Sequence, residues 1–140
     1  MPQATRENLG YLLAKASQHW NELLQEGFAG EGFPEVRASY GSVLIPLFEE
    51  DGLRMGEIAR RARISKQTMT TMVRLCELAG LVERRRDPED GRAMLVHLTG
   101  KAKRFLPAAE RVLGRLERDV AQTLGDRRLA SLRRSLKELA

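Results

Sequence analysis

The sequence predicts a mostly α-helical fold with a small antiparallel β-wing, arranged as a winged helix–turn–helix between N- and C-terminal dimerisation helices. Three observations lead there. Between about Leu53 and Thr99, a short amphipathic helix, a tight turn and a second helix precede two short β-prone runs. Those runs flank a charged tip, Asp87-Pro88-Glu89-Asp90-Gly91-Arg92, whose Asp-Pro and Asp-Gly pairs are turn formers. On either side lie segments whose apolar residues recur at helical spacing.

The first helix is expected over Arg6–Phe28, with Leu9, Leu12, Leu13, Ala16, Trp20, Leu23 and Leu24 in one stripe. The glycines at 27, 30 and 32 are expected to end it. Pro34 suits the first turn of a second helix carrying Val36, Tyr40, Val43, Leu44, Leu47 and Phe48, with Pro46 kinking it or ending it early. After an Asp51-Gly52 turn, a helix over Met55–Ala62 points Ile58 and Ala59 inward. Arg63-Ile64 makes the turn, Ser65 N-caps a helix over Lys66–Ala79, and Gly80 stops it. Strands are expected at Leu81–Arg86 and Ala93–Leu98. Thr99 caps a helix over Gly100–Thr123, bent in its first two turns by Pro107. Gly125 separates it from a last helix over Asp126–Ala140, which bears Leu129, Leu132, Leu136 and Leu139. The terminal stripes exceed what a small central unit can cover. They either pack back within one chain or pair with a second copy, and an obligate homodimer is the expectation.

Charge is unevenly spread. Residues 1–53 hold 3 Lys/Arg against 8 Asp/Glu, residues 54–99 hold 10 against 6, and residues 100–140 hold 11 against 5, for a net charge of +5. The basic character begins where the helix–turn–helix begins. That suits either a polyanion partner or two solvated faces of a helical protein. With one cysteine, Cys76, neither an intrachain disulfide nor a Cys-rich metal site can form. His19 and His97 are far apart and lack clustered acids, so no metal is expected. No Ser/His/Asp set or glycine-rich phosphate loop stands out, so neither catalysis nor a cofactor is expected. No apolar run approaches the roughly 20 residues of a membrane span. The N-terminus MPQATRENLG lacks a signal-peptide core, and a soluble, cytoplasmic protein is expected.

In the Lys66–Ala79 helix, Met69, Met72, Val73 and Cys76 recur on the inward face. The opposite face presents Lys66, Gln67, Thr70, Thr71 and Arg74, with Thr68 beside them. Gln suits adenine, Lys and Arg suit guanine, and a Thr methyl suits thymine. Alone, such a face would simply be solvated. The hairpin shifts the reading, because Arg84, Arg85 and Arg86 precede its tip and Arg92 follows it. An arginine-bearing tip suits a DNA minor groove, with Asp90 on one side and Asp87 on the other placed to hold the Arg92 guanidinium. Three acids among four arginines argue against a plain polybasic patch. Sequence-specific binding to double-stranded DNA is therefore the expected function. It divides the single domain into helical dimerisation regions at 1–33 and 100–140 and a DNA-binding region at 34–99. The alternative is a protein-interaction winged helix, in which Leu75 and Leu78 dock a partner protein.

The segment LRMGEIARRARISKQTMTTMVRLCELAGLVERRRDPEDGRAMLVHLT resembles the winged-helix core of the multiple-antibiotic-resistance regulator (MarR) family. The E-I-A helix, I-S-K-Q-T, G-L-V-E-R-R, D-P-E-D-G-R-A and L-V-H-L-T occur in the family's order and spacing. The resemblance implies a homodimer on a pseudo-palindromic operator, its recognition helix in the major groove through Ser65, Lys66, Gln67, Thr68, Thr70, Thr71 and Arg74. It implies a wing carrying Arg84 and Arg86, with Arg92 in the minor groove and Asp90 orienting it. It also implies repression released by a small aromatic or phenolic effector. Tyr11, His19, Trp20, Arg37 and Tyr40 suit either an effector cavity or packing. The chain departs from the family at Arg63, where glycine is frequent, at Leu75 and Leu78, which are usually charged, and at Cys76, usually leucine. Cys76 reads as a small core residue rather than a redox sensor, since the peroxide-sensing members use an N-terminal cysteine that this chain lacks.

Overall fold

The computed structural model describes residues 2–140. In chain order the elements are α1 (Leu9–Gly30), a 3-10 turn (Ala38–Tyr40), α2 (Gly41–Glu49), β1 (Leu53–Arg54), α3 (Met55–Ala62), α4 (Lys66–Leu78), β2 (Val82–Arg86), β3 (Met94–Leu98), α5 (Gly100–Leu124) and α6 (Asp126–Leu139). This is a mostly helical winged helix–turn–helix, the fold class expected from the sequence. The sheet has three antiparallel strands in the order β1-β3-β2. Leu53 pairs with Val96 and Arg54 with Leu95, while β2 runs from Val82 opposite Leu98 to Arg86 opposite Met94.

The helix–turn–helix forms where local chemistry demands it. The Ser65 hydroxyl accepts the Thr68 N–H at the start of α4, and the Thr99 hydroxyl accepts the Ala102 N–H at the start of α5. Gly80 takes the left-handed conformation just after α4, at φ 76°. Arg63 takes it between α3 and α4, at φ 58°, a conformation that costs energy for a non-glycine residue. The core beneath is continuous. Val43, Leu47, Ile58, Met69, Val73, Cys76, Leu81 and Val96 are buried together. Phe105 of α5 extends it toward α1, meeting Phe28 and Phe33 edge-on at 4.9 and 5.1 Å between ring centroids. Two side chains fasten the end of α4 to the start of α5. Thr99 Oγ1 donates to the Gly80 carbonyl at 2.6 Å, and Lys101 Nζ donates to the Ala79 carbonyl at 2.6 Å while pairing with Glu35 at 2.8 Å.

Several expectations are corrected. α1 starts at Leu9, because Asn8 supplies the cap, and runs on to Gly30. Gly27 does not terminate it. A Cβ there would lie 2.4 Å from Val112 Cγ1, so the glycine lets α1 and α5 approach. The second helix does not start at Pro34. The Ala38 N–H bonds instead to the Gln25 side chain, a 3-10 turn follows, and α2 begins only at Gly41. Pro46 lies inside α2 without ending it, and α5 runs unbroken through Pro107. Strand β1 was not foreseen, since two residues carry no periodicity.

The terminal helices are less covered. No residue of α6 is buried, and Leu132, Leu136 and Leu139 stand exposed. On α1, Leu9, Tyr11, Leu12 and Leu13 are also exposed. Among the described residues, no helix is long and apolar enough to cross a membrane.

Candidate nucleic-acid interface

Met69, Val73 and Cys76 anchor α4 in the core, which leaves Lys66, Gln67, Thr68, Thr70, Thr71 and Arg74 exposed along its outer side. Their polar groups are not equally free. Ser65 is committed to its cap and also donates to Thr68 Oγ1 at 2.9 Å. Thr70 Oγ1 donates back to the Lys66 carbonyl at 2.9 Å. Lys66, Gln67, Thr71 and Arg74 make no side-chain hydrogen bond or ion pair among the described residues, so their donors and acceptors face outward. Leu75 and Leu78 continue the exposed surface toward the end of α4, with Leu78 77% exposed.

The wing is a tied loop. The Asp87 N–H donates to the Ala93 carbonyl at 2.9 Å and the Ala93 N–H to the Asp90 carbonyl at 3.0 Å. Arg86 Nη1 donates to the Gly91 carbonyl at 3.0 Å, and Arg84 pairs with Glu77 of α4 at 2.9 Å. The role expected of Asp90 is corrected. Its Oδ1 accepts the backbone N–H of Arg92 at 3.1 Å, not the guanidinium, so it fixes the loop rather than the Arg92 side chain. Nor does Asp87 hold Arg92. Its carboxylate accepts the Glu89 N–H at 2.9 Å and meets Arg54 of β1 at 2.9 Å. These two contacts, the Glu89 N–H first, hold the Asp87 carboxyl below the usual carboxylate range. Arg92 is left exposed at the tip with no side-chain partner among the described residues. The tie from Arg54 was missed, because 33 residues separate it from Asp87.

α3, which supports α4, carries its own charge cluster. Arg60 and then Arg61 lower the Glu57 carboxyl to about 2, and Arg61 also reaches Glu50 at 2.8 Å. Cys76 is fully buried, and burial pushes its thiol up to about 12, which keeps it protonated and unreactive at neutral pH. No group of three or more His, Cys, Asp or Glu side chains able to hold a metal occurs among the described residues. Of the five effector-cavity candidates, Tyr40 is buried, Trp20 is partly buried, Arg37 and His19 are exposed, and Tyr11 borders an open depression of about 600 Å³ lined also by Ala4, Thr5, Arg6 and Asn8.

Residues 47–93 match a family model described as MarR family. The transcriptional repressor YetL of Bacillus subtilis is 33% identical over 97 residues, covering 65% of this chain and 56% of YetL. The chain thus spans about half the length of that curated relative. The structure is similar to that of the transcriptional repressor CouR bound to a 23-mer DNA duplex, with a TM-score of 0.81 and 28% identity over 95% of this chain and 92% of CouR. It also shares its fold with PcaV from Streptomyces coelicolor, a transcriptional regulator, with a TM-score of 0.80 and 21% identity over 99% of this chain and 96% of that one.

Proposed function

We propose that the winged helix of this chain is that of the MarR family, and that the protein is a homodimeric, sequence-specific DNA-binding regulator acting as a transcriptional repressor. One observation carries the reading: the exposed polar half of α4 and the unpartnered Arg92 lie on two adjoining elements, one helical and one a ribbon, in a fold shared with a DNA-bound repressor. α4 enters the major groove, where Gln67, Thr71, Arg74 and Lys66 read base edges. Ser65, Thr68 and Thr70, whose hydroxyls serve the helix itself, contribute through the N-terminal backbone of α4 and through their apolar atoms. Arg92 enters the neighbouring minor groove, where the phosphate field concentrates. Arg84 and Arg86 stiffen the wing and add phosphate attraction.

The exposed stripes of α1 and α6 support the dimer, with residues 1–33 and 100–140 as its interface and 34–99 facing DNA. Two such units place their recognition helices in half-sites about 10 bp apart on a pseudo-palindromic operator. Occupying an operator requires no bond-making. A small aromatic or phenolic effector that changes the spacing of the two α4 helices would release it by population shift.

The test is selection of bound sequences from random duplex DNA. A two-fold symmetric site is the expected product. Arg92→Ala then lowers affinity for that site and flattens the salt dependence by about one phosphate equivalent. A second reading rests on the exposed Leu75 and Leu78, which suit a protein partner. Failure of the intact protein to bind duplex at low salt would favour it and remove the first.

A further inference from the structure

α3 begins without a cap. Arg54 occupies its N-cap position, and its side chain makes no capping hydrogen bond. A guanidinium carries only donors, so it has nothing to offer the free N–H groups of a helix start. Glu57, three residues on, where a capping box would reach back, faces Arg60 and Arg61 instead. The position therefore forgoes a stabilising residue, and the contacts of the Arg54 side chain show what it does instead. From β1 it crosses to the wing, with Nη2 2.9 Å from Asp87 Oδ2 and 3.7 Å from Asp90 Oδ2. Both acids already build the turn, Asp87 Oδ1 through the Glu89 N–H and Asp90 Oδ1 through the Arg92 N–H. One cation thus joins the head of α3 to the two residues that shape the wing tip.

We propose that Arg54 is a positioning residue that clasps the wing to the helix–turn–helix, holding Arg92 at a set offset from α4 while cancelling the acidic charge of the tip. The proposal rests on the DNA-binding reading and deepens it. Charge counting and the clasp disagree about Asp87. To an approaching phosphate Asp87 is repulsive, so by charge alone its neutralisation strengthens binding. In the clasp, Asp87 is the anchor, and its neutralisation lets the tip drift.

The experiment compares the intact wild-type protein with Arg54→Thr, Arg54→Lys, Asp87→Asn and the double variant Arg54→Thr/Asp87→Asn. Threonine can cap α3, and asparagine keeps the oxygen that receives the Glu89 N–H. Affinity is measured on the selected duplex. Backbone hydrogen exchange at residues 87–92 is measured in the DNA-free protein. Arg54→Thr and Asp87→Asn are each expected to weaken binding by about fivefold, the scale of one exposed ion pair, and the double variant by no more than either. Arg54→Lys recovers part of the loss. Exchange at 87–92 speeds up in both single variants, while the thermal midpoint falls in neither. Unchanged or tighter binding by Asp87→Asn, or additive losses in the double variant, would overturn the clasp and leave Arg54 a phosphate contact of its own. A wild type that binds no duplex would defeat the DNA-binding reading instead. The clasp is then decided by exchange alone: faster exchange at 87–92 upholds it, and unchanged exchange in both variants sinks it.

Discussion

The winged helix and the terminal helices solve the burial problem differently. In the winged helix, Val43, Ile58, Met69, Val73, Leu81 and Val96 close a core within one protomer. In α6 nothing is buried, and along the first half of α1 the leucines face outward. α5 and the second half of α1 share the winged-helix core, whereas α6 and the first half of α1 present an apolar surface of the kind that associates. In the proposed dimer, folding and association would thus rest on largely separate surfaces. A change in one surface should leave the other's property largely intact.

The largest effect is expected from loading the exposed stripe with charge. Leu132→Asp combined with Leu136→Asp touches no residue of the buried core, yet puts two carboxylates into the proposed dimer interface. Sedimentation should show a monomer with near-native circular dichroism. A dimer of unchanged stability would break the comparison. Next comes Gly27→Ala, where α1 and α5 touch within the terminal helices. The new methyl meets Val112 at 2.4 Å, and overpacking of that kind costs about 1–3 kcal/mol in thermal or denaturant unfolding. Smaller and of opposite sign is Arg63→Gly. It relieves a left-handed non-glycine residue, and denaturant unfolding should show a gain of up to about 1 kcal/mol with the oligomeric state unchanged.

The smallest effect is electrostatic. Glu57 is depressed from an ordinary 4.5 to about 2 by Arg60 and Arg61. A folded carboxyl with a lowered pKa contributes stability above its unfolded value, and that contribution fades as pH falls through the folded one. The cluster should therefore support the fold fully above about pH 4.5 and lose that support toward about pH 2. Glu57→Gln should flatten the acid limb of the stability curve across that window. An unchanged limb would place acid sensitivity elsewhere.

Much of the winged helix was legible because its boundaries are set by neighbours in the chain. Ser65 and Thr99 cap the helices they immediately precede, Gly80 ends α4 by its own conformation, and the two long strands fall within one residue of expectation. Features set by distant residues were not legible. β1 exists only because β3 pairs with it, and Gly27 is a packing residue only because Val112 arrives from α5. The start of α2 shifts to Gly41 around a glutamine from α1. At the candidate interface the exposure of the α4 side chains agrees with the sequence pattern, but one arrangement differs. Asp90 next to Arg92 in sequence invites a side-chain pair, whereas the loop spends that carboxylate on a backbone N–H and the cation at the tip comes from Arg54.

Lys101 and Thr99 tie the carbonyls of Ala79 and Gly80, just after α4, to the start of α5. Glu35 meets the same lysine from a third side, at 2.8 Å. A long helix bolted to a short one at its root behaves as a lever. In the proposed complex, the Lys101 and Thr99 bonds give a tilt of α5 a direct path to α4, the helix proposed to meet the groove.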